Sequence, residues 1–546
     1  MASEVELKLA AAAVDLPRLK RALRDLVPDS ACRRSSLTTT YYDTADRVLS
    51  RRGLSLRVRA AEGRFVQTVK SNGAAEAGIL MRGEWEDEIA GGEPDLNAPH
   101  SGCCLPNGIA GCLQPLFATV VMRTTIDLNP SPSLSIEAAI DEGEIRSLVG
   151  ATTAPISEIE LELKRGDRGA LFDIALDLLA AAPLRIETRS KAQRGYAALE
   201  GAVPQPVAAA SIALNSAMTT ETALQMIGTA CLTHLLRNQA AALAGDPEGI
   251  HQMRVAARRI RSAILAFKKM LPPAERRRAT DELDWLDEIL GPTRNLDVFA
   301  SELLAPRRSA LSGNPGLDRI AAAVEAARQA AYARVRELVP SARCTEAELR
   351  LLRWFAARCW RTEEALPESD LSTAIGDIAP QVLDRRLRSV RRRGKGFREA
   401  SAKERHKLRI AVKELRYTGE LLGSLFDLRD VRGFAKPLRK LQDGLGYAND
   451  VRVGHNVIEQ IAATAADKEA IKLAGARVLG WHEHAVEQHE RKVRKCLREL
   501  YRATPFWKPR PPPCPTAISD SCGQATRVSP TRNSPGSPSG RYTDLS

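Results

Sequence analysis

The chain has 546 residues, with 80 Lys and Arg against 67 Asp and Glu and a formal net charge of +13. That length exceeds what one hydrophobic core serves, so two or more are expected. Only 4% of residues are aromatic, which argues against binding single-stranded nucleic acid by base stacking, and no apolar run is long enough to cross a bilayer.

The charge is uneven along the chain. Residues 1–200 hold 24 basic against 28 acidic residues, 201–500 hold 50 against 37, and 501–546 hold 6 against 2. A basic second half calls for a polyanionic partner. Ten cysteines are scattered without a CxxC pair, which fits a reducing cytoplasm better than a disulfide framework. Cys103, Cys104 and Cys112 with His100 lack zinc spacing and read as a loop. Glu4, Glu6 and Lys8 at the start do not read as a signal peptide.

In chain order, Glu4-Val-Glu6-Leu-Lys8-Leu opens the sequence with strict alternation, the period of a β-strand. The same pattern returns at Glu158-Ile-Glu160-Leu-Glu162-Leu-Lys164. Between them Leu54, Leu56 and Val58 alternate with Arg57 and Arg59, and Glu84 and Glu86 share a parity opposite Trp85. Leu134, Ile136, Ala138 and Ile140 oppose Glu137 and Asp141. About eight strands result, with helices near 15–27 and 167–182, the second capped by Asp167. A sheet's polar face ordinarily meets water. Here it repeatedly mixes acids with bases, which suits the interior of a closed, tunnel-like barrel whose apolar parity faces outward under helices. Carboxylates from distant strands suit a hard cation, and the arginines and lysines suit phosphate oxygens. No P-loop motif occurs.

Residues 1–200 resemble the CYTH domain of the triphosphate tunnel metalloenzymes. The resemblance rests on Glu4-x-Glu6-x-Lys8, Arg57-Val-Arg59, Thr68-Val-Lys70, Arg82-Gly-Glu84-Trp-Glu86, Arg123, Glu137 through Asp141, Glu158 through Glu162, and Lys191-Ala-Gln-Arg194. It implies an eight-stranded antiparallel tunnel. It further implies a metal held by Glu4, Glu6, Glu160 and Glu162, with Asp141 near a second cation, and a triphosphate held by Lys8, Arg57, Arg59, Lys70, Arg123, Lys191 and Arg194. Mg²⁺ is the expected ion, with Mn²⁺ as the alternative. Lys8 is the one candidate for a direct catalytic role, as a base, although its acidic neighbours work against that.

Residues 201–217 read as a linker. From 218 to 503 the period is helical, and the segment repeats itself. His251-x-x-Arg254-x-x-x-Arg258-x-x-Arg261 recurs as His406-x-x-Arg409-x-x-x-Lys413-x-x-Arg416 at an offset of 155 residues, still holding at Leu290-Gly291 and Leu445-Gly446. Two helical halves, about 220–375 and 376–503, are therefore expected. Each repeat places its basic residues on one helix face and its apolar residues on the other. A lone stripe of this kind is usually just a solvated surface; two brought together would make a groove for an anionic polymer. This half resembles the CHAD domain, through these two helices and the Leu290-Gly-Pro-Thr-Arg294-Asn-Leu-Asp297-Val298 segment, read as a loop. The resemblance implies binding of inorganic polyphosphate. His482, His484 and His489 read as a solvated helix face, and 504–546, rich in Pro, Ser and Gly, as a disordered tail.

The fold class expected is multidomain, α and β: a β tunnel with flanking helices, then a duplicated all-α bundle. The function expected is metal-dependent hydrolysis of inorganic triphosphate to diphosphate and phosphate, in the cytoplasm, beside a polyphosphate-binding unit. The alternatives are a thiamine or nucleoside triphosphatase, and a polyphosphate-binding protein without turnover. Nucleic acid is a disfavoured partner, no membrane is expected, and the oligomeric state is open.

Overall fold

The alternation at the start of the chain produces the strand it predicts. In this computed structural model, β1 (Glu4–Ala11) buries Leu7 and Leu9 on one side and Glu6 and Lys8 on the other. The structure describes residues 4–27, 31–71, 75–76, 79–109, 111–361 and 369–508. The side chains of 4, 75–76, 79–82 and 369–370 lie outside that description.

After β1 the chain forms α1 (Leu16–Leu26), β2 (Cys32–Thr44), α2 (Val48–Arg51), β3 (Leu54–Ala61), β4 (Arg64–Ser71), β5 (Ala75–Glu76), β6 (Ile79–Arg82) and β7 (Glu84–Ile89). The long antiparallel strands β8 (Leu113–Ser131), β9 (Leu134–Ser147) and β10 (Thr153–Arg165) follow. Then come α3 (Gly169–Ala181), β11 (Leu184–Ile186) and α4 (Lys191–Glu200). Neighbours run in the order β5-β6-β1-β10-β9-β8-β2-β3-β4-β7. Because β6 pairs with β1 while β7, one residue further on, pairs with β4, the sheet closes on itself.

Eight strands were expected and eleven segments are found among the described residues. The difference is local. β6 and β7 are halves of one rung broken at Gly83, whose backbone exchanges hydrogen bonds with Ser71. A Cβ at Gly83 would sit 2.8 Å from the Trp85 ring. β5 and β11 are short additions at the edge.

The barrel's outer face is apolar and has to be covered. Leu16, Leu19 and Leu23 of α1 and Leu171, Phe172, Ala175 and Leu178 of α3 pack over Leu7, Leu9, Ile159 and Leu161. Asp167, expected to cap α3, lies one residue before the N-cap Arg168, and its Oδ1 accepts the Gly169 N–H at 2.7 Å. On the β3–β4–β7 side the cover is the Cys-containing loop: Ala98 and Ile109, with Cys104 and Leu105, pack on Leu56, Val58, Val69 and Ile89. That loop is tied down at Asp87, which accepts the Ser101 N–H at 2.6 Å and bonds His100 Nδ1 at 2.8 Å.

Residues 202–215 have no regular structure but are docked. The Val207 N–H donates to Asn238 Oδ1 at 2.8 Å, Leu214 N to Ser424 Oγ at 3.1 Å, and Ile212 and Leu214 are buried. The helical half then runs α5 (Thr220–Arg237), α6 (Gln239–Leu243), α7 (Pro247–Ala266), α8 (Pro273–Val298), a π-helical turn (Phe299–Leu304), α9 (Ala305–Ala310), α10 (Pro315–Leu338) and α11 (Ala342–Ala356). After these come α12 (Ser369–Ser372), α13 (Ile375–Gly394), α14 (Ala402–Leu422), α15 (Leu428–Thr464) and α16 (Lys468–Arg502). The repeat is visible in the caps: Asp246 starts α7 and Ser401 starts α14, 155 positions apart. The segment 290–298, expected as a loop, is helical, as is its counterpart in α15. Pro292 sits inside α8 without ending it, and the chain widens into the π turn seven residues later.

One apolar cluster runs without interruption from the outer face of β1 and β10 through α1 and α3 into α5, α7, α11 and α14. A hydrogen bond from Thr345 Oγ1 to the Leu184 carbonyl, 2.6 Å, crosses the same seam. A second cluster joins the π turn, α10, α15 and α16. Residues 1–507 form one compact unit. The tail expected from 504 begins with packed residues: Trp507 is buried against Phe434 and donates to Asp384 Oδ1 at 2.8 Å. Residues 509–546 lie outside the description.

Candidate active site in the tunnel and a basic groove in the helical half

Because strand side chains alternate, most strands send a charged set inward, and these meet in a cavity of about 310 Å³. Glu6 and Lys8 come from β1, Arg57 and Arg59 from β3, and Lys70 from β4. Glu84 and Glu86 come from β7, Arg123 from β8, Glu137 and Asp141 from β9, Glu160, Glu162 and Lys164 from β10, and Lys191 from the start of α4. Two walls differ in sign. β3 and β4 present Arg57, Arg59 and Lys70, while β1, β9 and β10 present most of the carboxylates.

On the acidic side the carboxylates are knitted to buried cations. Lys191 Nζ lies 2.7 Å from both Asp141 and Glu160 and also pairs with Glu158. Lys8 Nζ lies 2.8 Å from Glu160 and 3.2 Å from Glu6. Arg123 reaches Asp141 at 2.6 Å and Glu160 at 2.5 Å. Burial alone would push the Glu160 and Asp141 carboxyls up, but Lys191 and the neighbouring cations outweigh it and hold both below the ordinary range. Burial likewise favours neutral Lys8, yet Glu160, Glu6 and Glu158 outweigh it and raise its pKa. These carboxylates therefore favour the charged ammonium form of Lys8.

On the basic side Glu84 pairs with Lys70 at 2.9 Å and with Arg57 at 3.5 Å, and the cations still crowd one another. Arg57 and Arg59 each bury an Nε that has no hydrogen-bond partner. Arg59 is pushed down to about 10 by Arg57, by burial and by Arg123. Tyr41, which sequence reading overlooked, is buried among these cations and stacks on Phe117 at 4.7 Å. Its burial raises the phenol pKa, but Arg57 and Lys191 outweigh that and lower it. Such a wall is built to meet an anion.

The expected residues do not all share one role. Asp141, expected beside a second cation, has both oxygens engaged by Arg123 and Lys191. Arg194 lies behind the cavity wall, its guanidinium held by Glu158. Asp141, Glu158 and Glu160 do bring one oxygen each within 4.8 Å of one another, but four cations already neutralise them. Glu6 and Glu162 fit a divalent cation better. They face each other directly across β1 and β10, a like-charge pairing offset by Lys8, 3.2 Å from Glu6, and Lys164, 2.7 Å from Glu162, whereas the other three carboxylates share four cations. The side chain of Glu4 lies outside the described residues.

In the helical half, the two basic stripes converge. His251, Arg254, Arg258 and Arg261 of α7 and His406, Arg409, Lys413 and Arg416 of α14 line one groove of about 970 Å³. Arg294 of α8 and Arg439 and Arg452 of α15, outside the predicted set, join them. Arg261 is partly neutralised by Asp284 and Asp287, at 2.5 and 3.0 Å, and Arg416 by Glu420 at 3.2 Å. The middle is not. Burial and then Arg409 and Arg258 push Lys413 down to about 6, and burial and Arg258 push Arg254 down to about 10. His251, buried beside Arg294, is pushed down to about 4. His251 Nδ1, His406 Nδ1 and the Nε atoms of Arg254 and Arg409 are buried without partners. His482, expected at the surface, is instead buried: Nε2 bonds the Leu303 carbonyl at 2.8 Å and Nδ1 the Tyr447 hydroxyl at 2.6 Å. Among the described residues no helix is long and apolar enough to cross a membrane.

A closed antiparallel tunnel with a charged interior, joined to a duplicated helical unit with a basic groove, is the architecture of a CYTH domain followed by a CHAD domain. The chain belongs to these families: residues 2–196 match the CYTH domain and 227–459 the CHAD domain. It is similar to the inorganic triphosphatase of Haemophilus influenzae, 33% identical over 205 residues. That match covers 36% of this chain and 55% of that protein, so it spans about half of the relative's length. Among solved structures, the CHAD domain of the plant Ricinus communis is 28% identical, covering 55% of this chain and 98% of that one with a TM-score of 0.48. PptA of Streptomyces chartreusis is 17% identical, covering 51% and 99%, with a TM-score of 0.39.

Proposed function

We propose that the tunnel hydrolyses inorganic triphosphate to diphosphate and phosphate with a divalent cation, Mg²⁺ or Mn²⁺, and that the helical groove holds inorganic polyphosphate. The observation that carries the first part is the pair of opposed walls, one with unpartnered guanidinium donors and the other with the directly opposed carboxylates of Glu6 and Glu162. A triphosphate lies between them, its oxygens on Arg57, Arg59 and Lys70. A cation held by Glu6 and Glu162, with Glu4, supplies charge neutralisation at the scissile phosphoryl group. Lys8 and Arg123, kept charged by Glu160, fix the acidic wall and donate toward phosphate oxygens. Lys191 ties α4 to that wall. The cavity is lined mainly by charged and polar side chains, with Leu37, Tyr41, Val121 and Ala192 giving little surface for a thiazole or a base, which favours the inorganic substrate over thiamine or nucleoside triphosphate. The similarity to an inorganic triphosphatase supports the same reading. The groove reading rests on the converging stripes and their unpartnered donors.

The test is phosphate release from inorganic triphosphate, thiamine triphosphate and ATP with and without Mg²⁺ or Mn²⁺. Metal-dependent release, fastest from inorganic triphosphate and lost in a Glu6→Gln, Glu162→Gln double variant that still binds polyphosphate, is expected. No release from inorganic triphosphate with either ion would sink the hydrolase reading.

A further inference from the structure

A second cavity, of about 240 Å³, opens beside the groove between α14, α15 and α16, and its walls are mainly apolar. Phe397, Leu445, Val486 and Val493 form its body, and the Arg405 guanidinium lies over the Phe397 ring at 5.1 Å. Its mouth shares His406, Arg409, Asn449 and Arg452 with the basic groove, so the two spaces adjoin. Among these, His406 Nδ1 and Arg409 Nε are buried donors or acceptors without partners. His489 forms one wall. Its Nδ1 donates to the Ala485 carbonyl at 2.7 Å, which leaves Nε2 as an acceptor.

The internal repeat shows that this space is particular to the second copy. At the constant offset of 155 residues, Arg405, Gly444 and Ala448 correspond to Ile250, Ile289 and Thr293. In the first copy those three side chains are buried and fill the corresponding positions. The second copy has alanine on the cavity wall where the first has threonine; it also has glycine where the first has isoleucine, and there Val493 takes up the space, 2.7 Å from where a Cβ would sit.

We propose that this cavity and the adjoining end of the groove form a binding site for a nucleoside polyphosphate, the planar base between the apolar walls and the phosphates on His406, Arg409 and Arg452. The space is at the small end of ligand pockets, enough for a base but too short for an acyl chain. Apolar walls suit a flat heteroaromatic ring and give nothing to a bare phosphate chain; Arg405, laid over Phe397 and paired with Glu490, closes one side of the space. An exocyclic amine can donate to His489 Nε2. The site rests on the groove's role as a polyanion site and adds a ligand class to it.

The test uses the full chain in EDTA, with fluorescein-labelled polyphosphate as reporter and ATP or inorganic triphosphate as competitor. ATP is expected to displace the label at concentrations about ten-fold lower than triphosphate, the effect of burying part of a base. Ala448→Leu, which fills the cavity, removes that advantage and leaves label binding unchanged. Should Ala448→Leu shift the melting curve, Val486→Phe fills the same space from α16. Equal competition by ATP and triphosphate in the unmodified chain overturns the nucleotide site alone. A nucleotide advantage that survives in a folded, filled variant overturns its location. Failure of the label to bind, or undiminished binding in Arg409→Ala, overturns the groove reading and the site with it.

Discussion

Replacing Lys191 by Met leaves three carboxylates, Asp141, Glu158 and Glu160, with one cation fewer among them. Their oxygens lie within 4.8 Å, and at the effective dielectric of such sites each like-charge pair repels by roughly 3–4 kcal/mol. The cluster escapes most of this by binding a proton. For a glutamate of ordinary pKa 4.5, protonation at about pH 7 costs roughly 3.5 kcal/mol, which sets the scale of the loss. That agrees with the 3–5 kcal/mol typical of breaking a buried ion pair. The sign with pH is fixed. In the parent chain Asp141 and Glu160 are depressed, so their contribution is full above their unfolded pKa values and fades as pH falls through the folded ones. In the folded variant one carboxyl holds its proton above its unfolded pKa, so the deficit grows with pH: it is largest at about pH 7 and shrinks toward pH 4.5, while the parent's own contribution is lost only below that. Hydrogen exchange of the β9 and β10 amides, corrected for intrinsic rates at each pH, reads the opening free energy of this region directly. A deficit below about 1 kcal/mol at neutral pH, or one that does not shrink on acidification, would refute the reasoning.

Arg59→Met removes one charge-assisted donor from the basic wall. It should lower kcat/KM for inorganic triphosphate by about ten- to a hundred-fold in steady-state phosphate release. Lys413→Arg addresses the groove. Lys413 is pushed down to about 6, so a bound polyanion draws a proton onto it, and affinity should rise as pH falls from 8 toward 6. Calorimetry in buffers of different ionisation enthalpy should show that proton uptake in the parent chain and not in the variant. Gly195→Ala would place a methyl 2.1 Å from the Phe117 ring. It should destabilise the tunnel by about 1–3 kcal/mol, seen as a lower melting temperature.

Much of the tunnel was legible because a strand's period of two separates its faces without knowledge of the partner strand. Glu6, Lys8, Arg57, Arg59, Glu160 and Glu162 all lie inside, as their parity implied. Parity could not say which inward carboxylates are already matched by cations. That depends on register and on α4, which brings Lys191 against Asp141 and Glu160 and leaves Arg194 behind the wall. Tyr41 escaped notice because an aromatic residue in a strand reads as core; only its neighbours Arg57 and Lys191 make it unusual. In the helical half the repeat gave both basic stripes, and their convergence is seen in the structure. His482 was misplaced because a polar side chain on a long helix gives no sign of the π turn whose Leu303 carbonyl it bonds.

The continuous apolar seam between the barrel's outer face and the helices has a consequence for how the chain can be divided. A cut at about residue 200 would strip Leu184 and Ile186 of the α11 side chains that cover them, and would uncover α5 and α11 in turn. Each fragment would carry a sticky scar, so the two halves are welded where most paired modules are merely tethered. Any exchange between the tunnel and the groove would then run across a fixed spacing, not on a swinging arm.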